Sequence, residues 1–186
     1  QTIPDVVTLG EKLISENYHS ARVGKIYHYH NPRDIGTSGH DDPFTWNRTV
    51  NPWGRDKREE YKINTLQEGE YGGTLSWLQA DGKDEEQTDG IGATETIRFL
   101  DEFAKSEENF FLAYGLFRPH TPYVAPKKYF DMYNMDDFDI PESDEEYLKT
   151  IPMPAARSIR EKKVQNNLEK DLAKEIKHAY LSLIHI

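Results

Sequence analysis

The segment Asn109–Leu116 (NFFLAYGL) is a near-continuous apolar run, and it constrains the fold more than any other stretch. A short run of this kind is typical of a strand buried on both faces, as in a parallel sheet. Before it, apolar residues follow a helical spacing between Thr88 and Lys105. A helix, a buried strand and a loop form one unit of a three-layer α/β/α fold. The sequence therefore predicts the α/β class.

Weaker patterns predict the remaining elements. Thr8 and Glu11 have the spacing of a capping box that opens a helix, and residues 20–23 resemble a strand that stops at Gly24. The apolar spacing near the end predicts one helix over 159–180. Residues 30–73 are polar and turn-rich, which predicts a long ordered loop, and 136–154 are acidic and proline-punctuated, which predicts a surface connection.

Charge and residue usage exclude several kinds of partner. The 186 residues carry 33 acidic and 23 basic side chains, a net charge of −10, whereas nucleic-acid binding calls for a basic face. No apolar run approaches the length of about 18 residues that suggests a membrane span. The absence of cysteine excludes disulfides, cysteine zinc sites and a cysteine nucleophile within these residues.

Both ends suggest an internal fragment. The chain opens with Gln1, without a charged-then-apolar leader, and a helical pattern is still running near the other end. The final residues 181–186 (LSLIHI) match the translation of a transposase-adapter sequence used in DNA library preparation. We expect them to be a non-native tail; an apolar tail that docks on a core is the alternative.

The first candidate site follows the strand at residues 20–23, where Gly24, Lys25 and His28 occur together. In open α/β sheets, ligands bind beyond the carboxyl ends of strands. A lysine there supplies a positive charge for an anion, and a histidine exchanges protons near neutral pH. The residues alone leave open a solvated lysine and histidine, or a metal site that includes His30.

The second candidate is His120, which follows the apolar strand between Pro119 and Pro122. Each proline fixes its own backbone and restricts the residue before it. A catalytic group benefits from being held in few conformations. Spacing alone leaves open a structural histidine that packs under the proline loop.

Residues 17–28 (NYHSARVGKIYH) resemble the second signature of the sulfatase family, Gly-Tyr-x-Ser/Thr-x-x-small-Gly-Lys-x-aromatic-His. The one departure is Asn17 in place of glycine, and asparagine tolerates the left-handed conformation, so we expect the turn to survive. Residues 118–123 (RPHTPY) resemble a block of the iduronate-2-sulfatase group and its bacterial relatives. The resemblance runs from about Pro4 to Tyr180.

This resemblance implies that the intact parent is a sulfuric ester hydrolase acting on sulfated sugars or glycosaminoglycan-like polysaccharides. It implies that Lys25 neutralises the sulfate or the nucleophile's oxygen. It also implies that His28 bonds to a formylglycine hydrate and acts as base, and that His120 binds sulfate and protonates the leaving alcohol. Lys25, His28 and His120 are thus the expected catalytic residues, with Lys25 and His120 also binding substrate. We expect all three to meet at one anion site.

Family members convert a cysteine or serine to formylglycine through a formylglycine-generating or equivalent maturase, and they bind a divalent metal, usually calcium. Neither the Cys-x-Pro-Ser-Arg block, nor a serine equivalent, nor an Asp-His-Gly block occurs here. We therefore expect residues 1–180 to be the middle of a sulfatase N-terminal catalytic domain, inactive alone, and we assign no metal ligand. Sulfated glycans are extracellular, so we expect an extracytoplasmic location: periplasmic, secreted, or lysosomal in a eukaryote.

Two other functions stay open at this point. One is a phosphate-ester hydrolase of the alkaline-phosphatase-like superfamily, whose serine or threonine nucleophile needs no formylglycine. The other is a non-catalytic relative that binds carbohydrate or another protein and has lost the chemistry. The sequence His40-Asp41-Asp42 suggests metal binding, but its turn-rich surroundings favour a role within the loop.

Overall fold

The computed structural model describes residues 6–141 and 144–185. The strands are β1 (His19–Gly24), β2 (Arg48–Val50), β3 (Asn64–Thr65), β4 (Ser76–Ala80), β5 (Phe110–Gly115) and β6 (Tyr123–Pro126). The α-helices are α1 (Leu9–Ser15), α2 (Arg55–Arg58), α3 (Thr88–Phe103), α4 (Lys127–Phe130), α5 (Glu145–Thr150), α6 (Met153–Glu161) and α7 (Lys170–Ser182). Short 3₁₀ turns occur at Glu60–Lys62, Asp84–Glu86, Met135–Asp137, Lys163–Gln165 and Leu183–His185. The mixture of helices and parallel strands confirms the α/β class.

The chain divides into two compact units. The first comprises Gln1–Tyr61 and Gly82–Arg118, and the second comprises Lys62–Asp81 and Pro119–Ile186. Each unit contains a three-stranded sheet of its own, ordered β2-β1-β5 in the first and β3-β4-β6 in the second.

The sheet of the first unit is entirely parallel. Residues 19–24 of β1 face residues 110–115 of β5 in register, so both strands end at the same edge. Ala21 and Val23 of β1 form a buried cluster with Phe99 and Phe103 of α3. The predicted helix and the two predicted strands are therefore confirmed, and they pack together as one α/β unit.

The opposite face of β1 is polar and fully enclosed. Because side chains alternate along a strand, Ser20 and Arg22 point away from α3. The Ser20 hydroxyl donates to the Thr45 carbonyl over 2.7 Å. The Arg22 guanidinium is 2% exposed and donates through Nε to Asp41 Oδ2 over 2.6 Å and through Nη1 to Asn51 Oδ1 over 2.9 Å. The loop after β1 thus covers this face.

The second unit has apolar residues on both faces of its sheet. Trp77 of β4 joins Ala125 of β6 in a cluster with Ile176 and Ala179 of α7. The alternate residues of the same strands, Leu78 and Val124, pack on the other side with Ile63. β4 runs parallel to β6 and antiparallel to β3.

Three sequence-based predictions need correction. β5 is not buried on both faces: Phe110 is 38% exposed and residues 111–115 are half-buried, because β5 is an edge strand of the described sheet. The helix predicted over 159–180 is interrupted between α6 and α7, where Asn167 has a φ of 54°. The loop predicted over 30–73 contains β2, α2 and β3.

The capping box at Thr8 is confirmed, since Thr8 and Glu11 each accept from the other's backbone N–H. The predicted connection over 136–154 contains α5, with residues 142 and 143 outside the described part. Near the end, Leu183 is 4% exposed and packs in the cluster with Trp77. Ile186 lies outside the described residues, and the non-native origin of 181–186 stays a prediction. No helix within the described residues is long and apolar enough to cross a membrane.

Candidate functional site

Two glycines join the ends of β1 and β5 at the carboxyl edge of the sheet. Gly24 has a φ of 73°, and a Cβ built on it would lie 2.2 Å from the Gly115 carbonyl oxygen. A Cβ on Gly115 would lie 1.8 Å from the Lys25 oxygen. The backbone N–H of Lys25 donates to the Gly115 carbonyl over 2.9 Å. The close approach that only glycine permits therefore fixes where Lys25 leaves the strand.

Lys25 and His28 present polar side chains beyond this junction. Lys25 is half-buried and His28 is exposed. Nowhere in residues 6–141 and 144–185 does a hydrogen bond or ion pair engage either side chain. This leaves the Lys25 ammonium available to an anion and the His28 imidazole available to a proton donor or acceptor.

The residues on either side of His28 are anchored. The Tyr27 hydroxyl lies 3.1 Å from the Thr45 hydroxyl, within hydrogen-bonding distance. Tyr29 is 3% exposed and packs with Ile35 and Phe117. Burial raises the pKa of the Tyr29 phenol to about 12, with Arg22 opposing that shift. His28 thus sits between two fixed aromatic rings, so its backbone is restrained while its own ring remains exposed.

The departure from the sulfatase signature at Asn17 keeps the expected turn. Asn17 has a φ of 63°, in the left-handed region that asparagine tolerates, and it follows Glu16, the residue that caps α1. Its N–H donates to the Ile14 carbonyl, and the N–H of Tyr18 donates to Leu13. The turn therefore ends α1 and directs the chain into β1, as glycine would.

His120 lies in the second unit, between the end of the first unit and β6. Its Nδ1 lies 2.7 Å from the Thr121 carbonyl oxygen, and because that oxygen only accepts, Nδ1 carries the proton. In the neutral imidazole, Nε2 is then the atom that accepts. The Thr121 hydroxyl donates to the Gly72 carbonyl over 2.8 Å, which ties the loop to its own unit.

The segments that follow β1 and β5 meet within the first unit. The rings of Tyr29 and Phe117 lie edge to face, with centroids 6.0 Å apart. One of these residues follows His28 directly, and the other precedes Arg118. Lys25, His28 and the start of the His120 loop are therefore at the same sheet edge. The meeting of all three predicted side chains at one anion site stays a prediction.

A buried acidic network was missed by the sequence analysis. Asp89, at the second position of α3, accepts from the N–H of Phe117 over 2.9 Å and from the N–H of Arg118 over 3.1 Å. The Arg118 guanidinium in turn donates to Asp56 over 2.8 Å. Burial raises the pKa of Asp89, while Arg118 and the two amides oppose that shift. The partners lie 28 to 62 residues apart, so no local pattern reveals them.

The described residues do not fit a metal site. No group of three or more His, Asp or Glu side chains within 6–141 and 144–185 is arranged to hold an ion. In the loop suggested by His40-Asp41-Asp42, Asp41 accepts from Arg22 and Trp46, and Asp42 accepts from the N–H of Phe44. These carboxylates are engaged in hydrogen bonds that hold the loop. No catalytic step is therefore assigned to a metal bound by these residues.

Comparisons with known proteins find two sulfatases that are similar to this chain at low identity. A sulfatase of Formosa agariphila is 28% identical over 154 residues, which are 80% of this chain and 29% of that protein. Iduronate 2-sulfatase of Mus musculus is 26% identical over 135 residues, 72% of this chain and 24% of that protein. The chain thus spans less than a third of either relative. No family model matches it.

The fold is shared with a solved hydrolase. The crystal structure of the phosphonate monoester hydrolase of Agrobacterium radiobacter superposes with a TM-score of 0.60 and 13% identity, covering 98% of this chain and 42% of that one. The chain is therefore a distant homologue of sulfatases with an alkaline-phosphatase-like hydrolase fold. More particularly, one of the two sulfatases that it resembles is an iduronate 2-sulfatase.

Proposed function

We propose that the full-length protein carrying this chain hydrolyses sulfate esters of sulfated sugars, including glycosaminoglycan-like polysaccharides. The observation that supports this most is the glycine junction, which directs Lys25 from the carboxyl edge of a parallel sheet with no carboxylate paired to it in the described residues. A sulfate monoester is an anion, and its hydrolysis requires positive charge where negative charge develops. Lys25 supplies that charge in the proposal.

The two histidines take the proton-transfer roles. Water ultimately provides the oxygen that remains with sulfate, the bond from sulfur to the ester oxygen breaks, and the leaving alcohol gains a proton. We assign that proton to Nε2 of His120 in its imidazolium form, because Nδ1 donates its own proton to the Thr121 carbonyl; loss of the Nε2 proton leaves the neutral imidazole with Nδ1 protonated. His28, whose ring is exposed, acts as base toward the nucleophile when sulfate is released.

The remaining parts of the proposal lie outside this chain. The nucleophile is a formylglycine made by a maturase, and a divalent metal such as calcium supplies Lewis-acid chemistry when bound. Their side chains come from other parts of the protein, because the described residues do not fit a metal and no formylglycine motif occurs here. Since sulfated glycans are extracellular, we propose a periplasmic, secreted or lysosomal location.

The first experiment compares ester classes in the full-length protein after coexpression with a maturase. Turnover is measured on 4-nitrophenyl sulfate, 4-nitrophenyl phosphate and a 4-nitrophenyl phosphonate monoester, followed by sulfated uronic acid disaccharides. We expect the sulfate ester to be the best of the three aryl substrates. Preference for a phosphate or phosphonate ester, independent of the maturase, would instead support the phosphate-ester hydrolase. No turnover on any ester would support a non-catalytic relative.

The second experiment tests the anion-binding lysine. Lys25→Ala should lower turnover of 4-nitrophenyl sulfate by about 100-fold or more, the scale of removing one positioned charge. Lys105→Ala removes the same charge from the end of α3, near the opposite edge of the sheet, and should leave turnover within about 3-fold. His40→Ala should also change little. Equal losses in Lys25→Ala and Lys105→Ala would contradict the assignment.

A further inference from the structure

We propose that Asp89 is a positioning residue that fixes the start of the loop carrying His120. The proposal rests on the proposed function for its catalytic readout. His120 lies two residues beyond Arg118, and the backbone N–H groups of Phe117 and Arg118 are both held by the Asp89 carboxylate.

The geometry suits a carboxylate and no other side chain of this size. Oδ1 accepts from one N–H and Oδ2 accepts from the next, at 2.9 and 3.1 Å. An asparagine in the same place would offer one acceptor and set its own NH₂ against the second N–H. The side chain is 5% exposed, so water cannot replace a lost partner without entering the network.

The network also fixes Asp89 itself. The Asp89 carbonyl accepts from the Tyr114 hydroxyl over 2.6 Å, which ties the start of α3 to β5. The neighbouring Thr88 donates through both its N–H and its hydroxyl to Asp56 Oδ1. Asp56 pairs through its other oxygen with Arg118. Asp89 of α3 therefore holds the backbone of the segment that follows β5, and Asp56 of α2 holds the Arg118 side chain of the same segment.

A buried, uncharged contact would hold this segment at lower desolvation cost, because burial disfavours the charged form of Asp89. The carboxylate orients the backbone, because the two oxygens of one planar group accept from two consecutive N–H groups. A misplacement of about 1 Å in a catalytic group can lower turnover about 100-fold. Fixing the segment just before His120 is therefore a means of orienting its imidazole.

The test uses leaving groups that differ in their need for a proton. In the full-length protein, His120 matters most for a sugar sulfate, whose alkoxide must be protonated, and least for 4-nitrophenyl sulfate, whose phenolate leaves unassisted. Asp89→Asn should therefore lower kcat about 10- to 100-fold on the sugar sulfate and less than about 3-fold on the aryl sulfate. His120→Ala should show the same asymmetry, to a larger extent.

A matched control separates positioning from general destabilisation. Phe99→Leu alters the core between α3 and the sheet without touching the segment after β5, and it should lower both activities by the same factor. Asp89→Glu keeps the charge but displaces both oxygens, and should reproduce the asymmetry if Asp89→Asn does not fold. Equal losses on both substrates in the Asp89 variants would overturn the proposal.

A second readout does not depend on turnover. With ¹⁵N-labelled histidine, the His120 signal, assigned by its loss in His120→Gln, should report a protonated Nδ1 in the wild type and shift or broaden in Asp89→Asn. An unchanged signal would overturn the positioning role even if no ester is hydrolysed. Absence of sulfatase turnover in the wild type, with a shifted signal in the variant, would refute the proposed function alone.

Discussion

The two histidine-bearing segments are held in opposite ways. At His28 the neighbours are fixed and the ring is not: Tyr27 contacts Thr45, Tyr29 is buried, and the imidazole has no partner among the described residues. At His120 the ring itself is fixed, since Nδ1 donates to the adjacent Thr121 carbonyl. The difference indicates that His28 can rotate to meet more than one group, whereas His120 presents one defined nitrogen.

The largest expected effect concerns the junction of Gly24 and Gly115, from which the His28 segment leaves β1. Gly24→Ala places a Cβ against the Gly115 carbonyl at a φ of 73°, so clash and left-handed strain add. We expect a loss of about 2–5 kcal/mol in the free energy of unfolding, measured by urea denaturation.

Gly69→Ala is the matched control, because Gly69 has a φ of 78° and no atom within 4 Å of its built Cβ. It should cost about 1–2 kcal/mol, from backbone strain alone. If both variants lost the same stability, the tight junction under Lys25 would not be real.

Two further pairs of variants test which ring nitrogen of each histidine takes part in the reaction. In His120→Gln the amide replaces Nε2, and in His120→Asn it replaces Nδ1. On a sugar sulfate, we expect His120→Gln to keep KM within about 3-fold while kcat falls about 100-fold, and His120→Asn to impair both. His28→Gln and His28→Asn should resemble each other, because neither nitrogen is engaged. If instead the Gln and Asn variants differed at His28 and were alike at His120, the contrast between a free and a fixed imidazole would be wrong.

The smallest expected effect is a loss of stability at high pH in the His28 segment, where Tyr29 is the titrating group. Tyr29 has a pKa raised to about 12 in the folded chain, above the unfolded value of 10.0, so its neutral form contributes stability that is lost as pH rises between those values. At pH 11 the loss should be about 1 kcal/mol. Tyr29→Phe should not show it, so the stability of the wild type relative to this variant should fall between pH 9 and pH 11. A constant difference would contradict the burial of this phenol.

Sequence reasoning succeeded where one local pattern was enough. The apolar run at β5, the capping box at α1 and the glycine that ends β1 each depend on a few neighbouring residues. The strand, the capping box and the end at Gly24 are confirmed, whereas the burial of β5 on both faces is wrong. β4 and β6 went unrecognised because they are short, and because their pairing depends on residues more than 40 positions apart. The helix predicted over 159–180 failed at adjacent asparagines, which compete with helical hydrogen bonds through their side chains.

The same distinction between local patterns and distant pairings applies to the candidate site. Lys25, His28 and His120 stand in linear motifs, and the structure supplies the junction and the anchors around them without testing their chemistry. Asp89, Asp56 and Arg118 lie in three separate segments, and only the folded arrangement shows that they form one network. Local spacing can find residues that face a ligand, but it does not find the residues that hold those segments.

The buried Arg22 limits how this protein can be re-engineered. Its charge sits in the middle of β1, but its counter-charge, Asp41, is 19 residues further along the chain in the loop that covers the strand. A loop grafted from a relative without an equivalent acid would leave a guanidinium uncompensated in the interior. Recombination between relatives should therefore keep both β1 and the loop that contains Asp41, or replace both.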